Sequence, residues 1–291
     1  MKLSIVLASS QSYAMPLATA LRSIVETNRR HWPIEFFVLH ADFDPETQEK
    51  VFTSLPEGSA DLHWSTVDEN IFANFPKGVN PHVTCMSYAR FLIPVLLPER
   101  VCRVLYLDTD VLVLKDLAAL FETDLDGAPL GAVDNFYPEM DAPQVAEYFN
   151  SGVLLIDLKK WRKERISEKA FLYLKQHPLT PYMDQDALNF VLDRQWTKLD
   201  PRWNMQDHYG KIRPGSSGPG IVHFITKAKP WLAASRSANA RLYNSFRSRT
   251  HFTRTRTEKL EDSVVRFTTG IRNVLRRGIR KNPSAVLLNG R

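Results

Sequence analysis

Two aspartates stand two residues apart between apolar walls, in Tyr106-Leu107-Asp108-Thr109-Asp110-Val111-Leu112-Val113-Leu114. The run that leads in, Val101 to Leu107, is made of the residue types that fill buried strands. Unpaired carboxylates at the edge of a core are costly, so these two demand a cation or a set of donors. Carboxylate oxygens suit Mg²⁺ and Mn²⁺, hard ions that keep open positions for substrate phosphates. On an extended chain, alternation points Asp108 and Asp110 to one side, within reach of one ion. The competing reading is a plain strand-end turn, since aspartate is a common turn residue.

Other polar residues interrupt apolar runs further along. Asp184, Gln185 and Asp186 open a helical pattern, His223 breaks the run Ile221-Val222-His223-Phe224-Ile225, and Lys229 follows it. Asp134 and Asn150 border strand-like runs, and Arg90 belongs to a helical segment. Singly, each has an ordinary explanation: acids at a helix start, a satisfied core histidine, a solvated lysine. Together they offer two carboxylates and an imidazole for a metal, cations for a diphosphate, and amides and acids for hydroxyl groups. A sugar joined to a nucleotide needs that mixture.

The elements that must position these groups follow from the apolar pattern. Residues 3–8 alternate into a first strand rather than a secretory leader, and Pro16 opens a helix with Leu17, Leu21, Ile24 and Val25 on one face. Residues 34–39 form a second strand, Pro45 starts a second helix, and 62–67 alternate as a third strand. Strand, helix, strand, helix, strand argues for parallel βαβ units with a ligand crevice at the strand ends. No Gly-x-Gly-x-x-Gly or Walker lysine loop follows the first strand. A helix is expected over 84–92, and strands over 101–107, 130–134, 152–157 and 221–225.

With 291 residues, 44% hydrophobic and 24% charged, the composition is that of a globular protein with a sizeable core. No apolar run reaches the roughly 20 residues of a membrane span. Cys85 and Cys102 show no metal-ligand spacing and read as reduced residues of a cytoplasmic protein. The net charge of +6 is unevenly placed: residues 232–291 carry 14 Lys/Arg against 3 Asp/Glu. That tail continues from Val264 as a basic amphipathic pattern, with Phe267, Ile271, Val274 and Leu275 among arginines. The pattern suits an anionic membrane surface, and no nucleic-acid recognition motif accompanies it. The expected organisation is therefore a catalytic domain over 1–231 and a basic, membrane-associating tail over 232–291, with the protein peripheral on the inner face of the cell membrane.

The blocks Tyr-Leu-Asp-Thr-Asp-Val-Leu-Val at 106–113, Phe-Asn-Ser-Gly-Val-Leu-Leu-Ile-Asp-Leu at 149–158, Asp-Gln-Asp-Ala-Leu-Asn at 184–189 and Lys-Pro-Trp at 229–231 resemble retaining glycosyltransferase family 8. The blocks around His82 and Ser-Tyr-Ala-Arg at 87–90 fit as well. The chain is similar in particular to bacterial galactosyl- and glucosyltransferases that build lipopolysaccharide. It implies an A-type glycosyltransferase fold: α/β, with a Rossmann-like, nucleotide-binding mixed sheet flanked by helices. It further implies a nucleotide-sugar donor, UDP-galactose or UDP-glucose, a glycolipid or saccharide acceptor, and a Mn²⁺ ion, with Mg²⁺ as the alternative. By the same resemblance Asp108, Asp110 and His223 hold the metal, and Lys229 and Arg90 offset phosphate charge. Ala8, Ser10, Ser12, Tyr13 and Thr109 contact the nucleotide, while Asp134, Asn150, Gln185 and Asp186 line the sugar pocket. Gln185 falls beneath the anomeric carbon, with Asp184 and Asp186 as rival nucleophiles.

Two departures bear on the donor. The family's acid and asparagine after the first strand are Ser10 and Ser12 here, and the glycine beyond the metal histidine is Thr226. They sustain a second reading, a nucleotide-sugar-binding or regulatory protein impaired in transfer.

Overall fold

The computed structural model describes residues 2–268 except 29, 31, 77–84, 137–142, 209–217, 233, 234, 236, 238, 262, 266 and 267. The His82 block and most of the amphipathic pattern from Val264 onward lie outside the described residues. Strand β1 (Leu3–Ser9) runs through a 3₁₀ turn into α1 (Ala14–Thr27), followed by β2 (Ile34–His40), α2 (Pro45–Phe52) and β3 (Asp61–Thr66). The start of α2 is set locally: Asp44 accepts from the Thr47 N–H at 2.6 Å, and Pro45 takes a position that needs no donor. Residues Cys85–Leu92, expected as an α-helix, wind instead as a tighter 3₁₀ helix before α3 (Ile93–Leu96). Next come β4 (Arg103–Leu107), β5 (Val111–Val113), α4 (Ala118–Phe121), β6 (Leu130–Asp134) and β7 (Phe149–Asp157). The second half holds α5 (Leu158–Lys163), α6 (Ile166–Gln176), α7 (Met183–Val191), β8 (Thr197–Lys198), β9 (Met205–Gln206), β10 (Ile221–His223) and α8 (Ala240–Arg247).

Seven strands form one mixed sheet in the order β3-β2-β1-β4-β7-β6-β8. β3, β2, β1 and β4 are parallel, while β7 runs antiparallel to both β4 and β6. Alternate residues of the central strands feed two cores. Ile5, Leu7, Leu105, Leu107, Val153 and Leu155 pack on one side with Leu17 and Leu21 of α1. Val6, Val104, Tyr106, Leu154 and Ile156 pack on the other with Tyr88, Phe91 and Trp161. Burial on both faces is why these strands read as continuous apolar runs.

A second, three-stranded sheet, β5-β10-β9, carries the third core of Leu112, Val222, Phe224, Tyr243 and Phe246. Tyr243 and Phe246 come from α8, which packs against α1 and this sheet. Tyr243 and Phe246, although they follow Trp231, are therefore buried in the body of the molecule.

At the end of the sheet opposite the polar cleft, Glu35 is 1% exposed and accepts from Arg100 Nη2 at 2.6 Å and Nη1 at 3.0 Å. The Arg100 hydrogen bonds hold its carboxyl below the usual glutamate range, outweighing the opposing effect of burial. A lowered folded pKa contributes stability above the unfolded value of about 4.3 that is lost as pH falls through the folded one. Glu35→Gln is expected to cost about 1 kcal/mol at pH 7, at the low end because Arg100 is half-exposed, with the difference shrinking as pH falls toward about 3. Urea denaturation of both proteins across that range checks it; a gap independent of pH would contradict it.

Candidate active site

The cleft opens where β1 and β4 end side by side and the sheet order reverses, the usual ligand crevice of an open α/β sheet. Because β7 is reversed, its first residues lie at that same end. Asn150, Ser151 and Gly152 are thus strand residues that face the aspartates, not the lead-in to a strand beginning at Gly152. The Asp108 N–H donates to the Gly152 carbonyl at 2.9 Å, and the Phe224 N–H donates to the Asp110 carbonyl at 3.0 Å. The two aspartates therefore stand in the short turn between β4 and β5, anchored to a different sheet on each side. The strand-end turn and the metal-ready pair are one and the same feature.

Each carboxylate has one oxygen held by the protein and one directed inward. Asp108 Oδ1 accepts from Tyr106 Oη at 2.8 Å and Arg90 Nη2 at 3.0 Å, while its Oδ2 lies 3.7 Å from His223 Nε2. Asp110 Oδ2 accepts from Lys229 Nζ at 2.6 Å, while its Oδ1 lies 3.4 Å from His223 Nε2. Burial pushes the Asp110 pKa up, but Lys229 and His223 outweigh it and hold the carboxyl well below the usual range. Among the described residues, Asp108, Asp110 and His223 form the one group that could hold a metal ion, with a ligand atom from each within 4.8 Å of the others. Two carboxylate oxygens and an imidazole nitrogen at that spacing fit a divalent ion with positions left for phosphate oxygens.

Arg90 is 3% exposed and lies over the Tyr106 ring, 4.5 Å from its centroid. Its Nη1 donates to the Ser151 carbonyl at 2.7 Å and lies 3.0 Å from Asp184 Oδ2. Burial raises the Asp184 pKa, and Arg90 works against that rise. Gln185 Oε1 accepts from the Ser151 N–H at 3.0 Å and from Asn150 Nδ2 at 3.2 Å. Met183, just before this pair, holds φ at 51° while 2% exposed. A left-handed methionine is a strained conformation costing about 1–3 kcal/mol, of a kind that collects at functional sites.

Ala8, Ser10, Tyr13, Arg90, Asp108, Thr109, Asp110, Asn150, Asp184, Gln185, His223 and Lys229 all line this cleft. Three residues grouped with them on sequence do not. Ser12 is exposed and shares a 2.9 Å hydrogen bond with Ser10. Asp134 turns its carboxylate to Lys198 Nζ at 3.3 Å. Asp186 is fully buried and accepts from Thr180 Oγ1, Tyr148 Oη and the Tyr182 N–H at 2.6–2.8 Å. Tyr13 meets Trp231 edge-on, 6.1 Å between centroids.

Residues 4–235 match the family model for glycosyl transferase family 8. The chain belongs to that family. General stress protein A of Bacillus subtilis (strain 168) is 29% identical over 249 residues, covering 78% of this chain and 86% of its own length. Glycosyltransferase GlyF of Streptococcus pneumoniae serotype 4 is 32% identical over 239 residues, covering 79% of this chain and 58% of its own. Among solved structures, the galactosyltransferase LgtC in complex with donor and acceptor sugar analogs superposes with a TM-score of 0.77 at 27% identity, over 89% of this chain and 100% of that one. The sheet and its flanking helices are those of the A-type glycosyltransferase fold, as the sequence blocks led one to expect. Membership makes this chain a glycosyltransferase, with a nucleotide-sugar donor and a saccharide acceptor.

Gly152 is one residue of this site whose role sequence alone did not reveal. A Cβ on it would stand 2.1 Å from His223 Cε1 and 2.7 Å from Asp108 Oδ2. Gly152→Ala must therefore push the imidazole and the carboxylate off the strand, at an expected cost of about 1–3 kcal/mol. Chemical denaturation and a crystal structure of the variant check this; an undisplaced His223 ring would contradict it.

Proposed function

We propose that this glycosyltransferase is a retaining, Mn²⁺-dependent hexosyltransferase that moves galactose or glucose from a UDP-linked donor to a glycolipid or polysaccharide acceptor. The observation that carries the reading is the convergence of Asp108 Oδ2, Asp110 Oδ1 and His223 Nε2, each carboxylate's other oxygen being already held. A divalent ion bound there supplies positive charge to the departing nucleoside diphosphate, a contribution of several kcal/mol to the barrier. Lys229 stands beside it, 8% exposed on the cleft wall, and turns from Asp110 toward the phosphate charge as it develops.

Retention normally uses a carboxylate nucleophile close under the sugar ring. Neither rival aspartate is free for that task. Asp184 is paired with Arg90, and Asp186 is saturated by three donors away from the cleft. This favours attack from the face that the phosphate leaves. The acceptor oxygen bonds to the anomeric carbon as the carbon–phosphate-oxygen bond breaks, and the acceptor proton passes to the leaving phosphate oxygen. The Gln185 amide stabilises the positive sugar ring from the opposite face.

The basic tail suits an anionic lipid surface, consistent with a lipid-linked acceptor. Leu242, Leu260 and Val264 present 38%, 65% and 53% of their surface to solvent before the strongly basic stretch begins. Among the described residues no helix is long and apolar enough to cross a membrane.

Donor hydrolysis without an acceptor is the decisive assay, run over a panel of nucleotide sugars with and without Mn²⁺. UDP-hexose hydrolysis dependent on Mn²⁺ is expected, with Asp110→Asn and His223→Ala slower by at least about 10²-fold, the cost of losing one group that stabilises the developing charge. Binding of a nucleotide sugar with no hydrolysis would select the impaired, regulatory alternative, and absence of binding would sink both. Removing residues 262–291, which leaves Tyr243 and Phe246 in the core, is expected to abolish sedimentation with phosphatidylserine vesicles at unchanged hydrolysis. Unchanged sedimentation would overturn the membrane reading.

A further inference from the structure

The imidazole of His223 and the amide of Gln185 are joined by two buried asparagines. His223 Nδ1 lies 3.0 Å from Asn204 Oδ1, Asn204 Nδ2 lies 2.9 Å from Asn150 Oδ1, and Asn150 Nδ2 lies 3.2 Å from Gln185 Oε1. Gln185 Nε2 continues to Tyr148 Oη at 3.2 Å, and Tyr148 Oη to Asp186 Oδ1 at 2.6 Å. Asn204 is 0% exposed, so each of its polar atoms must find its partner inside the protein.

The direction of every link follows from two backbone groups that can only donate. The Gly152 N–H points at one end of the Asn150 amide at 3.1 Å, so that end is the carbonyl oxygen. The Asn204 atom facing the same oxygen must then be the amide nitrogen, and its other end the carbonyl that faces His223. A carbonyl can only accept, so His223 Nδ1 carries a proton, and Nε2 is the nitrogen that faces Asp108 and Asp110. At the far end the Ser151 N–H, 3.0 Å from the Gln185 amide, fixes that atom as Oε1, in agreement with the donation from Asn150.

We infer that Asn204 is a positioning residue that serves both halves of the site, holding His223 in the Nδ1–H tautomer and, through Asn150, setting the orientation of Gln185. This rests on the proposed metal role of Asp108, Asp110 and His223. A metal-bound histidine needs a partner on its other ring nitrogen to set tautomer and orientation, and loss of such a partner commonly weakens metal binding by 10–100-fold. Here the partner is a neutral amide with a second hand, and that hand reaches the amide beneath the sugar.

The test separates the two functions. Asn204→Asp keeps an acceptor for the His223 proton but loses the donor to Asn150, whereas Asn204→Leu loses both. In the metal-free, ¹⁵N-histidine-labelled chain, wild type is expected to show a protonated His223 Nδ1. Asn204→Asp keeps that proton in place, and Asn204→Leu lets it leave Nδ1. By calorimetry, Mn²⁺ affinity stays within about threefold of wild type in Asn204→Asp and falls about 10–100-fold in Asn204→Leu. Donor hydrolysis falls in both through kcat, since Asn150, one of the donors that hold Gln185, loses its Asn204 partner in both. An unprotonated Nδ1 in wild type, or wild-type Nδ1 protonation and Mn²⁺ affinity in Asn204→Leu, overturns the inference. Unchanged Mn²⁺ affinity in a parallel His223→Ala variant overturns the metal reading instead. Should Asn204→Leu not fold, the wild-type spectrum and the kcat of the near-isosteric Asn204→Asp decide alone.

Discussion

Three carboxylates share one largely buried cleft, and the guanidinium of Arg90 pairs with two of them. Asp108 and Asp184 both lie 3.0 Å from it, and its remaining donors hold the Ser151 and Ser87 carbonyls at 2.7 and 2.9 Å. A planar fork with five donors suits this task, and lysine, a point charge, does not. By spanning the 3₁₀ segment, β4, β7 and α7, Arg90 fixes the distance between the part of the cleft that would hold phosphate and the part that would hold sugar. Removing one partner of a buried ion pair costs about 3–5 kcal/mol, because the other charge is stranded. On sequence Arg90 was grouped with the phosphate-facing cations. Its surroundings tie it to two carboxylates, whereas Lys229 has one.

Much of this was legible in the chain because the chemistry is concentrated in short blocks at strand ends. The strands over 3–9, 34–40, 61–66, 103–107 and 130–134 fall where apolar alternation placed them, within two residues. The α5 start shows how local such signals are: Asp157 accepts from the Lys160 N–H at 3.0 Å, and that aspartate belongs to the very block used to recognise the family. What stayed hidden depends on pairings between distant segments. Nothing near Asn150 announces that β7 begins at Phe149, since the strand exists only where β4 and β6 run alongside it. Asn204 follows Trp203 in an unremarked polar stretch and gains its meaning from His223, 19 residues on. Asp134 and Asp186 were grouped with the sugar pocket as acids beside the right blocks. Their side-chain directions were set by Lys198 and Tyr148, which no spacing rule links to them.

The reversed strand is also what makes the site crowded. A parallel neighbour of β4 would bring its C-terminal residues to the cleft and continue into a helix. β7 instead enters there with Asn150, Ser151 and Gly152, placing amide donors, a carbonyl for Arg90 and a missing Cβ for His223 on one edge. The polar work of the cleft is thus carried by a strand that elsewhere is almost wholly apolar.

The pairing of His223 with Val111 brings together residues far apart in the chain, through a strand of three residues in a sheet of three. Its consequence is kinetic. Closing so long a loop has a large entropic cost before any contact repays it, so this small sheet is expected to assemble after the seven-stranded one. The same economy applies in reverse, since the least extensively paired unit is the first to open in native-state fluctuations. Opening it would carry His223 and Lys229 away from Asp108 and Asp110 while the main sheet stayed intact. A bound ion and diphosphate would then act as a clasp across two separately folding parts, stabilising the closed form in proportion to their concentration.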